Sequence, residues 1–166
     1  MTIDGSSLQL LINGELRGAS NGATYDNICP TTGRPAGVAP DATTVDAEAA
    51  ISAARRAFDE TDWSTNLELR VRVLRQLDAA IREHEADLAE LTIAEVGAPR
   101  SACATIQVNA PLDIVGWMAD LAASYEWTTD LGIRDTMGGP CRRWIEREPI
   151  GVVAAMHFGL WYYLGI

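Results

Sequence analysis

The stretch RRWIEREPIGVVAAMHFGLWYYLGI, residues 142–166, decides how this chain is interpreted. Its first half is rich in apolar and β-branched residues and predicts strands at residues 143–147 and 150–156, either separate or as two parts of one bent strand. Pro149 sets the break between them, because proline has no N–H to donate to a sheet. After residue 155 the chain turns into an aromatic tail.

Residues 43–96 carry the clearest helical signals. Thr43 or Thr44 is a candidate N-cap for a helix that ends near Glu60, since acidic residues follow in its first turn. A second helix is predicted from residue 67, with a possible break at residues 84–86 and a stop at Gly97. Its apolar stripe consists of Leu67, Val71, Leu74, Leu77, Ile81, Leu88 and Leu91.

A further helix is predicted up to residue 125, with Asn109 as its N-cap and Pro111 in its first turn. Residues 100–108 are a shorter helical candidate, and residues 126–140 are interpreted as a polar connection to the C-terminal strands. The buried face of the long helix is expected to consist of Leu112, Val115, Trp117, Met118, Leu121 and Ala122.

The N-terminal residues predict extended structure. Residues 1–7 are small and polar and are expected to be disordered. Asn13-Gly14 interrupts an apolar run at residues 8–16 and predicts a hairpin, and residues 25–29 and 37–39 are short strand candidates. The chain by itself is therefore predicted to be mainly α-helical, with an N-terminal β-hairpin and C-terminal strands.

Composition excludes several classes of protein. The 166 residues carry a net charge of -10, and every basic residue other than histidine is an arginine, so binding to nucleic acid is not expected. The N-terminus has neither a signal peptide nor a membrane-spanning run, which predicts a cytoplasmic protein with no membrane partner. Cys29, Cys103 and Cys141 are an odd number without metal-ligand spacing, and each is interpreted as a packing residue.

Five blocks along the chain together resemble one family. They are LLINGEL (10–16) with CPTTGRP (29–35), AAISAARRAFDETDWS (49–64), RVRVLRQLDAAI (70–81), AEVGAP (94–99) and EPIGVV (148–153). Each block is weak alone, but in this order and spacing they are similar to the N-terminal third of the NAD(P)-dependent aldehyde dehydrogenase superfamily. The resemblance covers about residues 10–155.

The resemblance implies an α/β parent fold with a Rossmann-like cofactor domain and a homo-oligomeric enzyme that oxidises an aldehyde to a carboxylic acid, with NAD or NADP accepting hydride. It assigns residues 8–140 to the N-terminal part of the cofactor domain. It assigns residues 141–155 to oligomerisation strands that lead into the first strand of the cofactor domain. The family's catalytic cysteine and glutamate have no counterpart here, so no catalytic or cofactor-binding residue is assigned, and the chain is expected not to bind the cofactor.

The tail at residues 156–166 departs from the family pattern. An asparagine that helps to bind the oxyanion in the family falls at Leu160, which has no donor to offer. A frameshift or damaged gene would produce such a tail, a hypothesis that fails if no reading frame of the DNA downstream of codon 155 encodes a family-like continuation. His157, in the same tail, and the charged-surface His84 are not interpreted as catalytic.

One metal site is implied by the resemblance. Glu95, with backbone around Asn27 and Ile28, corresponds to a monovalent-cation site of some family members, and capping with solvent exposure is the alternative for Glu95. For the chain as a whole, the first hypothesis is a truncated, inactive aldehyde dehydrogenase fragment prone to self-association. The alternatives are a non-catalytic module that associates with full-length subunits and, ranked last, a small enzyme that uses His157 and a cysteine.

Overall fold

The computed structural model describes residues 8–155. Near its start, β1 (Leu10–Ile12) and β2 (Glu15–Arg17) pair antiparallel as the expected hairpin. Asn13 and Gly14 take φ of 55° and 80°, the positive values that this tight turn requires. The predicted Asn-Gly hairpin is confirmed, whereas the expected disorder of residues 1–7 lies outside the described residues.

A second hairpin joins β3 (Thr24–Ile28) to β4 (Pro35–Pro40), with a register shift between Asn27 and Ile28. Hydrogen bonds at Cys29 close the turn between the strands: its N–H donates to the Arg34 carbonyl at 2.9 Å, and its carbonyl accepts from the Gly33 N–H at 2.8 Å. Both strands were predicted, and the structure adds that they pair with each other.

A buried carboxylate ties the N-terminal part of the chain to α1 (Thr44–Glu60). Thr43 is the N-cap, and Asp46 completes a capping box with it. Asp46 also accepts hydrogen bonds from the N–H and hydroxyl of Ser20 at 3.1 and 3.0 Å and lies 3.5 Å from the Arg17 guanidinium. The backbone N–H groups of Thr43 and Ser20 are the main cause of a strongly lowered pKa for Asp46.

The predicted long helix is broken at His84 into α2 (Leu67–Glu83) and α3 (Glu85–Val96), after a short 3-10 turn at Asp62–Ser64. Asn66 caps α2 by accepting the Leu69 N–H at 2.9 Å. Gly97 ends α3 with φ of 68°, so the expected stop is confirmed.

A short helix, α4 (Arg100–Ala102), continues through a π-helical turn at Cys103–Gln107 toward α5 (Asn109–Ser124). The prediction of Asn109 as N-cap is wrong, because Asn109 is already the first residue of α5 and Val108 holds the cap position without a side-chain hydrogen bond. Helical backbone runs almost to the start of α5, which leaves no extended residue that could act as a cap.

The core of the helical part is small. Ala98, Cys103, Val108 and Leu112 are buried together, with Ile81, Leu88, Ala89 and Ile93 packed around them. Trp117 and Met118 were predicted to be buried, but they are 59% and 46% exposed. The reason is that α5 buries only the side that faces α2, where a Cβ on Gly116 would lie 3.5 Å from the Asp78 carboxylate.

Residues 126–140 are not a loop, contrary to the prediction. They contain β5 (Thr128–Thr136), which pairs antiparallel with β6 (Gly139–Glu146). Nearly every residue of this hairpin is exposed. Because neither strand has a buried face, its sequence does not alternate between apolar and polar residues as that of a half-buried strand does. The strand expected at residues 143–147 is confirmed as part of β6.

The strand expected at residues 150–156 does not form within the described residues, because residues 147–155 adopt neither helix nor strand and no described strand pairs with them. The observed fold is mainly helical, with hairpins at both ends, as the sequence predicts. Among residues 8–155, no helix is both long and apolar enough to cross a membrane.

Candidate functional site

The three cysteines are free thiols on different elements of the fold. Cys29 and Cys103 are buried, and Cys141 is exposed on β6. Hydrogen bonds from Thr32 lower the pKa of the Cys29 thiol, whereas the Cys103 and Cys141 sulfurs lie 3.8 Å from the Ala89 carbonyl and the Thr136 hydroxyl. These partners are hydroxyl and backbone groups, so none of them can act as the base that activates a nucleophilic thiol.

The predicted cation site spans the β3–β4 hairpin and the end of α3. Asn27 and Ile28 lie at the register shift of that hairpin, and Glu95 lies two residues before the glycine that ends α3. The turn between β3 and β4 packs on that helix end, since a Cβ on Gly97 would come within 2.5 Å of the Thr31 hydroxyl.

The β3–β4 turn at Pro30 and Thr31 thus lies next to the end of α3 at Gly97. Glu95 is half-buried, and its carboxylate makes no hydrogen bond or ion pair to another residue of the described chain. No three His, Cys, Asp or Glu side chains come together within residues 8–155, so any cation here would depend on backbone carbonyls.

The base of the β5–β6 hairpin is fixed to the helices by stacked rings and guanidinium groups. The Tyr125 and Trp127 rings pack edge to face with centroids 5.0 Å apart. Arg70 and Arg147 lie over the Trp127 and Tyr125 rings, each 5.6 Å from the centroid. The Trp127 indole N–H donates to the Ala122 carbonyl at 3.2 Å, so the base of the hairpin is fixed in orientation relative to α5.

Beyond this base, the two strands of the hairpin are exposed to solvent on both faces of the sheet. We call residues 128–146 the arm. Its large apolar side chains include Ile133 at 72% exposure and Trp144 at 57%. Charges alternate with them, and Arg142 pairs with Asp130 at 2.9 Å. An uncovered, partly apolar strand pair is an arrangement that favours pairing with another chain.

A second uncovered surface lies on α5. Ile114, Trp117 and Met118 recur at helical spacing on its outer side and are all exposed. An open groove of about 360 Å³ continues this surface toward the arm, lined by Met118, Leu121, Ala122, Tyr125, Trp127 and Arg147. Exposed apolar patches of this kind mark surfaces that contact other protein elements.

The described residues contain no parallel strand pair. A dinucleotide site lies at the carboxyl ends of parallel strands, with a helix N-terminus facing the pyrophosphate. All strand pairs among residues 8–155 are antiparallel, and Gly151, Val152 and Val153, which were expected to lead into the first cofactor strand, are in no sheet.

The sequence profile of the aldehyde dehydrogenase family matches residues 17–157. The chain belongs to the aldehyde dehydrogenase family. A curated relative, the putative aldehyde dehydrogenase DhaS of Bacillus subtilis (strain 168), is 28% identical over 147 residues, which cover 87% of this chain and 28% of the relative.

Solved structures agree with this assignment. An aldehyde dehydrogenase of Mycobacterium tuberculosis complexed with NAD+ superposes with a TM-score of 0.76 at 26% identity, over 88% of this chain and 30% of that one. A betaine aldehyde dehydrogenase variant of Staphylococcus aureus in complex with NAD+ gives 0.69 at 28% identity, over 80% and 26%. This aldehyde dehydrogenase chain thus spans less than a third of the length of these relatives, whose fold includes a Rossmann-like cofactor domain.

Sequence reasoning missed the outer surface of α5 and the first strand of the arm. Trp117 and Met118 carry the same apolar signal as a core residue, because a face that is covered by another chain or another segment has the same composition as a buried one. The tail residues His157 and Leu160, on which the sequence hypotheses about activity partly rest, lie outside the described residues.

Proposed function

We propose that this chain is the N-terminal portion of an NAD(P)-dependent aldehyde dehydrogenase, whose parent activity is the oxidation of an aldehyde to a carboxylic acid, and that the chain alone is inactive. The family match over residues 17–157 supports the parent activity. The proposed inactivity is supported by the described sheets, which contain no parallel strand pair at residues 150–155. A dinucleotide binds in a crevice at the carboxyl ends of such strands.

Titration of the purified chain with NAD+ and NADP+ tests this proposal. The tryptophan residues provide a fluorescence readout, and a full-length aldehyde dehydrogenase treated in parallel is the positive control. We expect no saturable change for the chain at cofactor concentrations that saturate the control. Saturable binding, or aldehyde-dependent formation of NADH by the pure chain, would contradict the proposal.

The exposed surfaces favour association as the property that this chain retains. The arm and the outer side of α5 present Ile133, Trp144 and Trp117 to solvent, and apolar exposure of this extent favours burial against another protein. We expect the chain to self-associate or to be poorly soluble. Light scattering that reports a monodisperse monomer over the accessible concentration range would count against this expectation.

A second candidate function is a non-catalytic module that binds full-length subunits of its own family in the cytoplasm. The arm favours it, because its aromatic and guanidinium base orients an uncovered strand pair away from the helices. Two results together would support it: cooperative unfolding of the isolated chain, and capture of a purified full-length aldehyde dehydrogenase subunit. A chain that unfolds without cooperativity and captures no such subunit would exclude it.

We also propose that the carbonyls around Asn27 and Ile28 hold a monovalent cation together with Glu95. The half-buried, unpaired carboxylate near the β3–β4 turn supports this proposal. Na+ or K+ should raise the melting temperature relative to choline at equal ionic strength, and Glu95→Gln should abolish the difference. The exposed Glu60→Gln is the control, and an equal response in all three chains would favour capping instead.

A further inference from the structure

The groove at the C-terminal end of α5 has walls that are almost entirely apolar. It measures about 360 Å³ and is lined by Met118, Leu121, Ala122, Tyr125, Trp127 and Arg147. Met118 and Tyr125 are 46% and 43% exposed, so the groove is open to solvent. Removing apolar surface of this kind from water is favourable, which makes the groove a place where an apolar segment can bind.

The polar groups around the groove already have partners. The Trp127 indole N–H donates to the Ala122 carbonyl at 3.2 Å. The Arg147 guanidinium donates to the Glu126 carbonyl at 2.9 Å and to the Thr129 hydroxyl at 3.1 Å. An occupant therefore needs no charge of its own, and an aromatic one is favoured further because a ring is attracted to the guanidinium at the edge of the groove.

The last eleven residues of the sequence, 156–166, have the composition that such a groove accepts. They lie outside the described residues and read MHFGLWYYLGI, with four aromatic rings and no aspartate, glutamate, lysine or arginine. The segment can be buried in an apolar groove without removing a permanent charge from water. Each aromatic side chain that is covered withdraws roughly 150–250 Å² from solvent, so even one ring is a substantial gain.

The path of the chain before residue 156 keeps this tail within reach of the groove. Arg147 lines the groove itself, and the chain then passes α1, where a Cβ on Gly151 would lie 3.3 Å from the Arg55 guanidinium. At about 3.5 Å per residue, Gly151 is at most about 14 Å from Arg147, whereas the segment from Gly151 to Trp161 spans up to about 35 Å. The tail can therefore turn back and place Trp161 in the groove with length to spare.

We propose that the tail docks its aromatic side chains, Trp161 foremost, in the α5 groove of its own chain. This inference does not depend on the proposed self-association, because the arm and the outer side of α5 at Trp117 stay exposed when the groove is filled. The occupant belongs to the same molecule, so docking costs the closure of a short loop and not the immobilisation of a free partner.

Cleavage of the full chain by chymotrypsin, which prefers large apolar residues, tests whether the tail is docked. The tail of the wild type should be cut slowly, because proteolysis follows the population of the open form. Met118→Glu places a carboxylate in the wall of the groove and should speed cleavage after Trp161 on the order of tenfold. Val45→Glu is the matched control, since it makes the same charge change at an exposed apolar residue of α1 and should leave the rate unchanged.

A cross-link tests where the tail docks and on which chain. The pair Met118→Cys/Leu160→Cys in a Cys141→Ser background keeps Trp161 and should form a disulfide within one chain on mild oxidation in dilute solution. A disulfide requires Cα atoms within about 7 Å of each other. The control pair is Met137→Cys/Leu160→Cys, which uses the fully exposed tip of the arm and should not react. Circular dichroism confirms that each variant keeps its helices.

Each outcome decides the inference. Faster cleavage of Met118→Glu than of Val45→Glu, together with an intrachain disulfide in the Met118→Cys/Leu160→Cys pair, would establish the docked tail. Equal cleavage of the wild type and Met118→Glu overturns the inference, because the tail is then free or bound elsewhere. A disulfide that joins two chains, or one that forms as readily in the Met137→Cys/Leu160→Cys pair, overturns docking within one chain and leaves the proposed parent activity untouched.

Discussion

Leu112 in α5 is 4% exposed, whereas Ile133 in β5 is 72% exposed, although both are large aliphatic residues. The difference reflects how the two regions are built. The helical layer of α2, α3 and α5 is held by side chains that it buries itself, together with capped helix ends. The arm is held by its own backbone ladder and by a cluster of rings and guanidinium groups at its base.

This difference indicates which region depends on a partner. A two-stranded sheet with both faces in solvent is marginally stable by itself, and what it gains by pairing is backbone hydrogen bonds and covered apolar area. The helical layer, by contrast, closes a core around Cys103 and Leu112 and leaves only the outer side of α5 uncovered. The part of the chain that is stabilised by its own buried side chains is therefore the cluster around Cys103 and Leu112, and the arm buries little apolar surface of its own.

The largest expected effect is on the helical core. Leu112→Ala should lower the free energy of unfolding by about 3 kcal/mol, because it removes buried methyl groups from a small cluster that cannot refill the space. The comparison variant on the arm is Ile133→Thr, which keeps a β-branched residue. It should change the free energy of unfolding by less than about 0.5 kcal/mol. Equal losses in urea unfolding would remove the distinction between the two regions.

Next in size is the buried carboxylate that ties β2 to α1. Because the folded-state pKa of Asp46 lies well below the ordinary value of 3.8, its contribution to stability is fully present above that value and is lost as the pH falls below it. Asp46→Asn should lower the urea midpoint of unfolding at neutral pH. It should also make the stability depend less on pH in the acid range, which we call the acid limb.

The exposed Asp41→Asn is the matched control for this carboxylate and should leave both the neutral midpoint and the acid limb close to wild type. Urea unfolding at intervals between neutral pH and acid pH measures both. If Asp46→Asn unfolds with the same acid dependence as wild type, the carboxylate does not connect the hairpin to α1 in the way that its hydrogen bonds suggest.

A third prediction concerns the contact between the β3–β4 turn and α3. Gly97→Ala should cost about 2 kcal/mol, since the residue keeps a positive φ and its new methyl group meets the Thr31 hydroxyl. Gly14→Ala carries the same kind of backbone strain with nothing within 4 Å, and should cost about 1 kcal/mol. A cost for Gly97→Ala no larger than that for Gly14→Ala would mean that the turn moves away without loss.

The smallest effect is expected for the ion pairs that bridge α2 and α5. Arg75 and Asp120 are 3.4 Å apart, but both side chains are largely exposed, so solvent screens their attraction. A double-mutant cycle with Arg75→Gln and Asp120→Asn should give a coupling below about 0.5 kcal/mol that disappears in about 1 M salt. A coupling comparable to the loss in Leu112→Ala would mean that charges, rather than packing, hold the helices together.

Local signals predicted much of the fold. The Asn13-Gly14 hairpin, a cap at Thr43 or Thr44, a break within residues 84–86 and the stop at Gly97 depend on the backbone preferences of a few neighbouring residues, which act wherever the segment lies. The cap assigned to Asn109 failed because the residues before it are already helical, which depends on how the π-helical turn packs.

The candidate surfaces were harder to predict. The arm has no buried face, so its first strand lacked the alternation that identifies a strand, and it was mistaken for a loop. Residues 150–155 had strong strand character but form no strand among the described residues, since strand propensity takes effect only when a partner strand is present. The cation site remains a prediction, and the contact that the structure adds is between Thr31 of the β3–β4 turn and Gly97 at the end of α3.

The sequence by itself determined the family, the helices and the turns, because these depend on composition and on spacing along the chain. Only the tertiary structure decided which apolar residues are core and which are surface, and that residues 128–146 form one arm. Those features depend on contacts between residues that are distant in sequence, which spacing along the chain does not reveal.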